Sequence, residues 1–395
     1  MDWNVFRRPR RKAVFAALAV GALLSTAACG GSDGGNSGGA GLPDTIKIVS
    51  VNPTTGVVAF AGAAANEGYK LAIKEINASD LLGGSKIELS FADTKSEPQT
   101  AAQETSSAIA DKKVVAIFGS VSSGEAVAMS PLLQKQGLPV VYTQAGSEGV
   151  VVGDYTYRAT PLMSSYYPLV EKWLKEGGYK SVGVMYTQVT PTLVEVGSKT
   201  LPTIAGDLGI DVTASVATPA TTQDFSAPIS QILKTKPDLV SALEVGASNV
   251  TVMTQLRQAG YSGKVLGNSG ASAGNLKPAG KDGAGMVWPA DFNYQQTAAS
   301  SQKFVKAYKA EYGEDPLNYA AEAYDAAWFL ARSIAAAGSD KRSAVKDAMA
   351  GVAAKPMDGA LGEGLTWKDN TIKVPGVVIE WNGTAEDLLY EASAE

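Results

Sequence analysis

From residue 44 onward the chain alternates short apolar runs with longer amphipathic segments. Apolar runs at 46–51, 86–92, 114–118, 139–142, 181–186, 211–216, 239–243 and 264–266 have the length and composition of strands. Between them the apolar residues repeat at helical spacing. Tyr69, Ala72, Ile73 and Ile76 fall on one helix face, and Phe225, Ile229, Ile232 and Leu233 on another. Further helices are expected from Pro98 to Lys112 and at 124–136, 192–207, 248–259, 298–312 and 318–337, with a short β segment near 372–381. Strand–helix alternation of this kind builds parallel sheets with helices on both faces. There are too many units for one small sheet, so the pattern predicts an α/β fold of two doubly wound, Rossmann-like lobes. A single barrel is the rival, but the elements after residue 297 break an eightfold count.

The first 43 residues follow a different pattern. Five basic residues, Arg7 to Lys12, precede a 12-residue apolar run, Ala13 to Leu24. That run is short for a membrane span and suits the core of an export signal. Small residues lead to Cys29, the sole cysteine. Gly30 to Gly41 is glycine- and serine-rich, the composition of a flexible tether. Residues 1–28 are therefore expected to be a signal peptide and 29–43 a tether.

Composition removes several kinds of chemistry. The chain has no histidine, which excludes Ser-His-Asp and Cys-His catalysis and His-ligated metals. One cysteine allows no internal disulfide. Net charge is −5, and loss of residues 1–28 would bring it to −9, the wrong sign for a nucleic-acid partner. No cofactor or metal site is expected.

In open α/β sheets ligands lie beyond the carboxyl ends of the strands. Five strand tips carry small and hydroxyl residues: 119–124, 143–147, 187–190, 244–248 and 267–270. At Ser122-Ser123-Gly124 a helix N-terminus offers free N–H groups to an anion, although the serine is equally suited to capping. Glu244, the one carboxylate in the five loops, could meet an ammonium group or be a solvated loop acid. Paired catalytic carboxylates and a Gly-x-Ser-x-Gly elbow are both lacking there, which speaks against an enzyme.

Several stretches together resemble one family. They are Ala72 to Ala78 with Gly83-Gly84 and Lys86 to Leu89, Gly119 to Ser123, Gly137 to Val141, Asp224 to Ser226, Pro237 to Val240, Leu256 to Gly260, Glu322 to Ala326, and Gly364 to Trp367. In order and spacing they are similar to the type I periplasmic binding proteins, in the leucine/isoleucine/valine-binding branch of ABC-transporter receptors. The cysteine context likewise resembles a bacterial lipobox, with Thr26 in place of the usual aliphatic residue; an ordinary buried cysteine is the alternative.

The resemblance implies two lobes, 44–159 with 288–361 and 160–287 with 362–395, joined by crossovers near 159–161, 287–289 and 361–364. A small carboxylate-bearing ligand, a branched-chain or related amino acid, would lie between them, and the partners would be ABC permease subunits and, through lipidated Cys29, the membrane. By position Ser122 would hold a carboxylate and Ala145 and Ser147 would help to hold both polar groups, with Ser123 and Gly146 beside them in the ligand site. Ser269 stands where the family supplies a glutamate for the ammonium, and Thr190 or Pro191 where it supplies an aromatic. Either Glu244 then provides the missing charge, or the ligand lacks an amine, as an aromatic or short carboxylic acid or an amide such as urea would. Phe60 and Trp288 could form an apolar wall or simply pack. A sensor that reports the ligand to a membrane partner is the second alternative to transport.

Overall fold

The computed structural model describes residues 41–392. The expected signal peptide, Cys29 and tether residues 30–40 lie outside the described residues. The chain runs β1 (Thr45–Asn52), α1 (Ala59–Ala78), β2 (Lys86–Asp93), α2 (Pro98–Ala110), β3 (Val114–Phe118), α3 (Ser123–Gln136), β4 (Val140–Tyr142) and β5 (Thr156–Arg158). A second series follows: α4 (Val170–Gly177), β6 (Ser181–Thr187), α5 (Pro191–Glu195), α6 (Leu201–Asp207), β7 (Asp211–Thr218), α7 (Ser226–Leu233), β8 (Leu239–Leu243), α8 (Ser248–Gln258), β9 (Val265–Leu266), α9 (Ala273–Leu276) and β10 (Met286–Ala290). The last part comprises α10 (Ala299–Tyr312), α11 (Asn318–Ala337), α12 (Arg342–Ala353), β11 (Met357–Gly359), β12 (Gly362–Lys368), β13 (Thr371–Lys373), β14 (Val377–Trp381) and β15 (Glu386–Glu391).

These strands form two sheets, ordered β11-β12-β13-β5-β4-β3-β1-β2 and β15-β14-β10-β9-β8-β6-β7. In each, the five strands laid down first are parallel and doubly wound. The order in which strands are added reverses at β1/β3 in the first lobe and at β6/β8 in the second, which are the switch points where such sheets bind ligands. β3 and β8 are buried along their full length, because helices cover both faces of a parallel sheet. β7 lies at an edge, and most of its residues are exposed or half-buried.

Segment 192–207, expected as one helix, is α5 and α6 joined by a π-helical turn at Val196–Thr200. Pro202 lacks an N–H and crowds the preceding turn, which accounts for the widened ladder.

The crossovers need two corrections. The chain leaves the first lobe after Ala159, which is buried in the first core, and Met163 already packs in the second core. The second passage was expected at 287–289. Instead all of β10 pairs with β14 in the second sheet, and Phe292 belongs to the first core, so the passage falls at Asp291. The third was expected at 361–364. Instead β12 and β13 join the first sheet, Leu365 and Ile372 are buried in its core, and Trp367 stacks on Phe329 at 4.2 Å. The passage is at 374–376, where Val374 packs against both cores. Residues 288–290 thus belong with the second lobe and 362–373 with the first. Among the described residues no helix is long and apolar enough to cross a membrane.

Candidate functional site

The β1, β3, β6 and β8 tips face one another across a cavity of about 60 Å³. From the first lobe it is lined by Val58, Phe60, Ala61, Val121, Ser122, Ser123, Gln144 and Tyr319. Met163 follows the first passage, and the second lobe adds Thr190, Thr192, Leu193, Val245, Asn268, Ser269 and Gly270.

The serine loop is held from below. Asn52 Oδ1 accepts from the Val121 N–H at 2.9 Å, and Ser120 Oγ accepts from the Ser122 N–H at 3.0 Å. Buried Glu125, whose carboxyl is raised above the ordinary range by burial, accepts from Ser120 Oγ and, at 2.9 Å, from Thr94 Oγ1. Ser122 therefore sits at the N-cap of α3 with a fixed backbone and makes no side-chain capping bond. Its hydroxyl and the first-turn N–H groups of the 14-residue helix are left to face a ligand. Ser123 Oγ accepts from the Ser147 N–H at 3.3 Å and pairs with Thr192 Oγ1 of the second lobe at 2.8 Å.

Of the residues singled out in the sequence, the fold brings Phe60, Ser122, Ser123, Thr190 and Ser269 together in the cavity. Ala145, Gly146 and Ser147 do not line it. Arg158 Nη1 collects the carbonyls of Ala145 and Ser147 at 3.1 and 2.8 Å, and the Gly146 carbonyl accepts from the Met163 N–H at 2.9 Å, so the loop faces inward. Burial pulls the Arg158 guanidinium down to about 10, which leaves it charged at neutral pH. Glu244 also lies outside the lining. Its Oε1 accepts from Thr218 Oγ1 at 2.6 Å, and burial pushes its carboxyl up to about 7 against that bond. Trp288 is buried in the core of the second lobe, which favours packing over a ligand wall.

Gln144 was missed. It has a left-handed backbone, φ 51°, and carries its amide into the cavity. Its Nε2 donates to Ser269 Oγ across the cleft at 3.0 Å, and its Oε1 accepts from Asn318 Nδ2 at 2.8 Å. Its backbone N–H donates to Glu322, which touches Asp291; burial raises both carboxyls, and the pair favours holding a proton between them. Asp291 in turn accepts from Thr160 Oγ1 and the Tyr166 hydroxyl at 3.1 and 3.0 Å, tying the first two passages together. Tyr319 was also missed. Its buried hydroxyl, raised by desolvation and so kept protonated, donates to the Ser269 carbonyl at 3.0 Å. Its ring meets Phe60 edge-on at 5.7 Å.

Two doubly wound lobes joined by three passages, with a cavity of mixed polar and apolar lining where their switch points meet, are the architecture of a receptor that closes on a solute by hinge motion. The chain belongs to the periplasmic binding protein family, whose model matches residues 45–386. Members of that family are extracytoplasmic solute-binding proteins. The chain is 26% identical over 373 residues to a Leu/Ile/Val-binding protein homolog 7 of Brucella melitensis, covering 90% of each. Its fold is similar to that of the leucine-binding protein LivK of Thermotoga maritima, with TM-score 0.81, 26% identity, and 88% of this chain and 98% of that one covered. It is also similar to an ABC-transporter solute-binding protein of R. palustris in complex with benzoate, with TM-score 0.80, 21% identity, and 89% and 98% covered.

Proposed function

We propose that the chain is the lipid-anchored solute-binding component of an ABC importer and that its cleft takes a small carboxylate-bearing solute. The observation that carries this reading is the uncapped N-terminus of α3, with the unpartnered Ser122 hydroxyl, opening into the space between the lobes. Aligned N–H groups and a hydroxyl favour an anion without a countercharge from a basic side chain. The relatives named as leucine/isoleucine/valine-binding point to the same end of such a ligand, since amino acids and benzoate share a carboxylate. Catalysis is no part of the reading: the chain would bind, close and release.

The test is Ser122→Ala with the carboxylate that binds tightest in the panel described below. Loss of a hydrogen bond to a charged group should weaken binding by about 1–3 kcal/mol, read by calorimetry. Unchanged affinity would refute the role of Ser122. Anchoring is tested separately. Cys29→Ala should move the exported protein from the membrane fraction to the soluble one, and retention at the membrane would remove the lipid anchor from the proposal.

A further inference from the structure

We infer that the solute is a short carboxylate without an amine, an inference that rests on the receptor reading above. Three features of the cavity carry it. First, among the described residues its lining contains no Asp, Glu, Lys or Arg. Glu244, at the tip of β8, is turned to Thr218 and takes no part in the lining. An ammonium buried there would touch no carboxylate, since the Glu322–Asp291 pair lies behind the Gln144 N–H and outside the lining, and a buried charge without a direct partner strongly opposes binding.

Second, the amide and carbonyl acceptors of the lining named here are occupied, while the Ser122, Thr190 and Ser269 hydroxyls still have a proton to give. Gln144 Oε1 accepts from Asn318 Nδ2, Asn268 Oδ1 from the Gly270 N–H at 2.8 Å, and the Ser269 carbonyl from the Tyr319 hydroxyl. Thr190 Oγ1 already accepts from the Leu193 N–H at 3.4 Å, and Ser269 Oγ from Gln144 Nε2. Both hydroxyls therefore retain their own proton for donation. With Ser122 Oγ and the α3 N–H groups, they present donors from both lobes to one small space. A site rich in donors, poor in acceptors and free of fixed charge suits an anion and rejects an ammonium.

Third, the space is small. Its 60 Å³ is less than half the ~150 Å³ of an apolar cavity that holds benzene. Phe60, Val58, Leu193 and Val245 leave room for a short aliphatic tail.

The experiment is calorimetric titration of the exported protein at neutral pH with matched pairs: propionate and alanine, butyrate and α-aminobutyrate, isovalerate and valine. Propionamide is the neutral control. The acids should bind at least about tenfold tighter than their amino counterparts. A preference under about tenfold, or tighter binding of the amino acids, overturns the inference and leaves the receptor reading standing. Binding of propionamide without the acids also overturns it. If no probe binds, native mass spectrometry of protein taken from its host decides. A retained solute that reacts with an amine-selective reagent counts against the inference, and one that is acidic and unreactive supports it. A protein that binds no probe and retains no solute overturns the receptor reading itself.

Discussion

Glu244 shows how a carboxylate at a strand tip can be drawn away from a ligand. It follows β8, at the height where ligand groups sit, but Thr218 at the end of β7 offers a hydroxyl on the sheet side. The backbone beside it is fixed too, because Asn268 Nδ2 donates to the Glu244 carbonyl at 2.9 Å. With its carboxyl pushed from 4.5 up to about 7, Glu244 keeps its proton in the folded chain at pH values where the unfolded chain has lost it. Its contribution to stability is thus complete below about 4.5 and disappears as pH rises through about 7. Urea denaturation of wild type and Glu244→Gln should show the variant gaining on wild type between those pH values. Carboxylate affinity should be unchanged. A stability difference that does not vary with pH would sink the titration argument. Ser122, Ser123, Thr190 and Ser269 were legible because they follow strand ends, and Phe60 was expected to wall a cleft or to pack. Gln144 also follows a strand end, but its neighbours 145–147 were singled out in its place. Its left-handed backbone turns the next three residues inward, and the reason lies in Arg158, a buried cation on the adjacent strand that gathers their carbonyls. Nothing local to residues 143–147 announces that partner.

At the scale of elements, the parallel strands and their helices were readable because burial on both faces leaves continuous apolar runs such as 114–118 and 239–243. The pieces that close the first sheet were harder. β5 has three residues, and β11 and β13 three each, too few for a periodicity to register. The third passage was therefore placed a dozen residues too early. A signal did exist. Lys368 pairs with Thr371 around Asp369-Asn370, and both turn residues have positive φ, 50° and 56°. That is the two-residue hairpin turn for which Asp and Asn are suited, and it keeps residues 362–373 in a single sheet. Helix α11 shows an opposite balance. Its apolar face was plain, yet Tyr319 and Glu322 on it serve the cleft and the passages, and Asp325 accepts from the Ala360 and Leu361 N–H groups between β11 and β12. It can reach the cleft because α1 packs closely on it: a Cβ at Gly68 would stand 2.1 Å from the Ala320 carbonyl oxygen. Glycine is required there by contact, and a helix pattern does not reveal contact.

For the whole molecule, the lobes are joined across the cleft by bonds that need no ligand: Ser123 to Thr192, Gln144 to Ser269, and Tyr319 to the Ser269 carbonyl. Each neutral bond of this kind contributes about 0.5–1.5 kcal/mol. Together they favour closure of the empty receptor, and a solute then binds a cleft already part-formed. Affinity depends on that bias, because a receptor that spends less time closed shows a proportionally weaker apparent Kd. The double variant Thr192→Val, Tyr319→Phe removes two of the three bonds while keeping side-chain volume nearly constant. It should cost closure about 1–3 kcal/mol. In small-angle scattering the solute-free variant should have a larger radius of gyration than solute-free wild type. The two should converge when saturated with the carboxylate that binds tightest, whose apparent Kd rises in the variant. Both residues line the cavity, so a weaker Kd alone would leave lost contacts as an explanation. The scattering of the empty protein separates the two, because no solute is present to be contacted. If the empty variant is as compact as wild type, these bonds do not hold the lobes together, and closure must come from the solute itself.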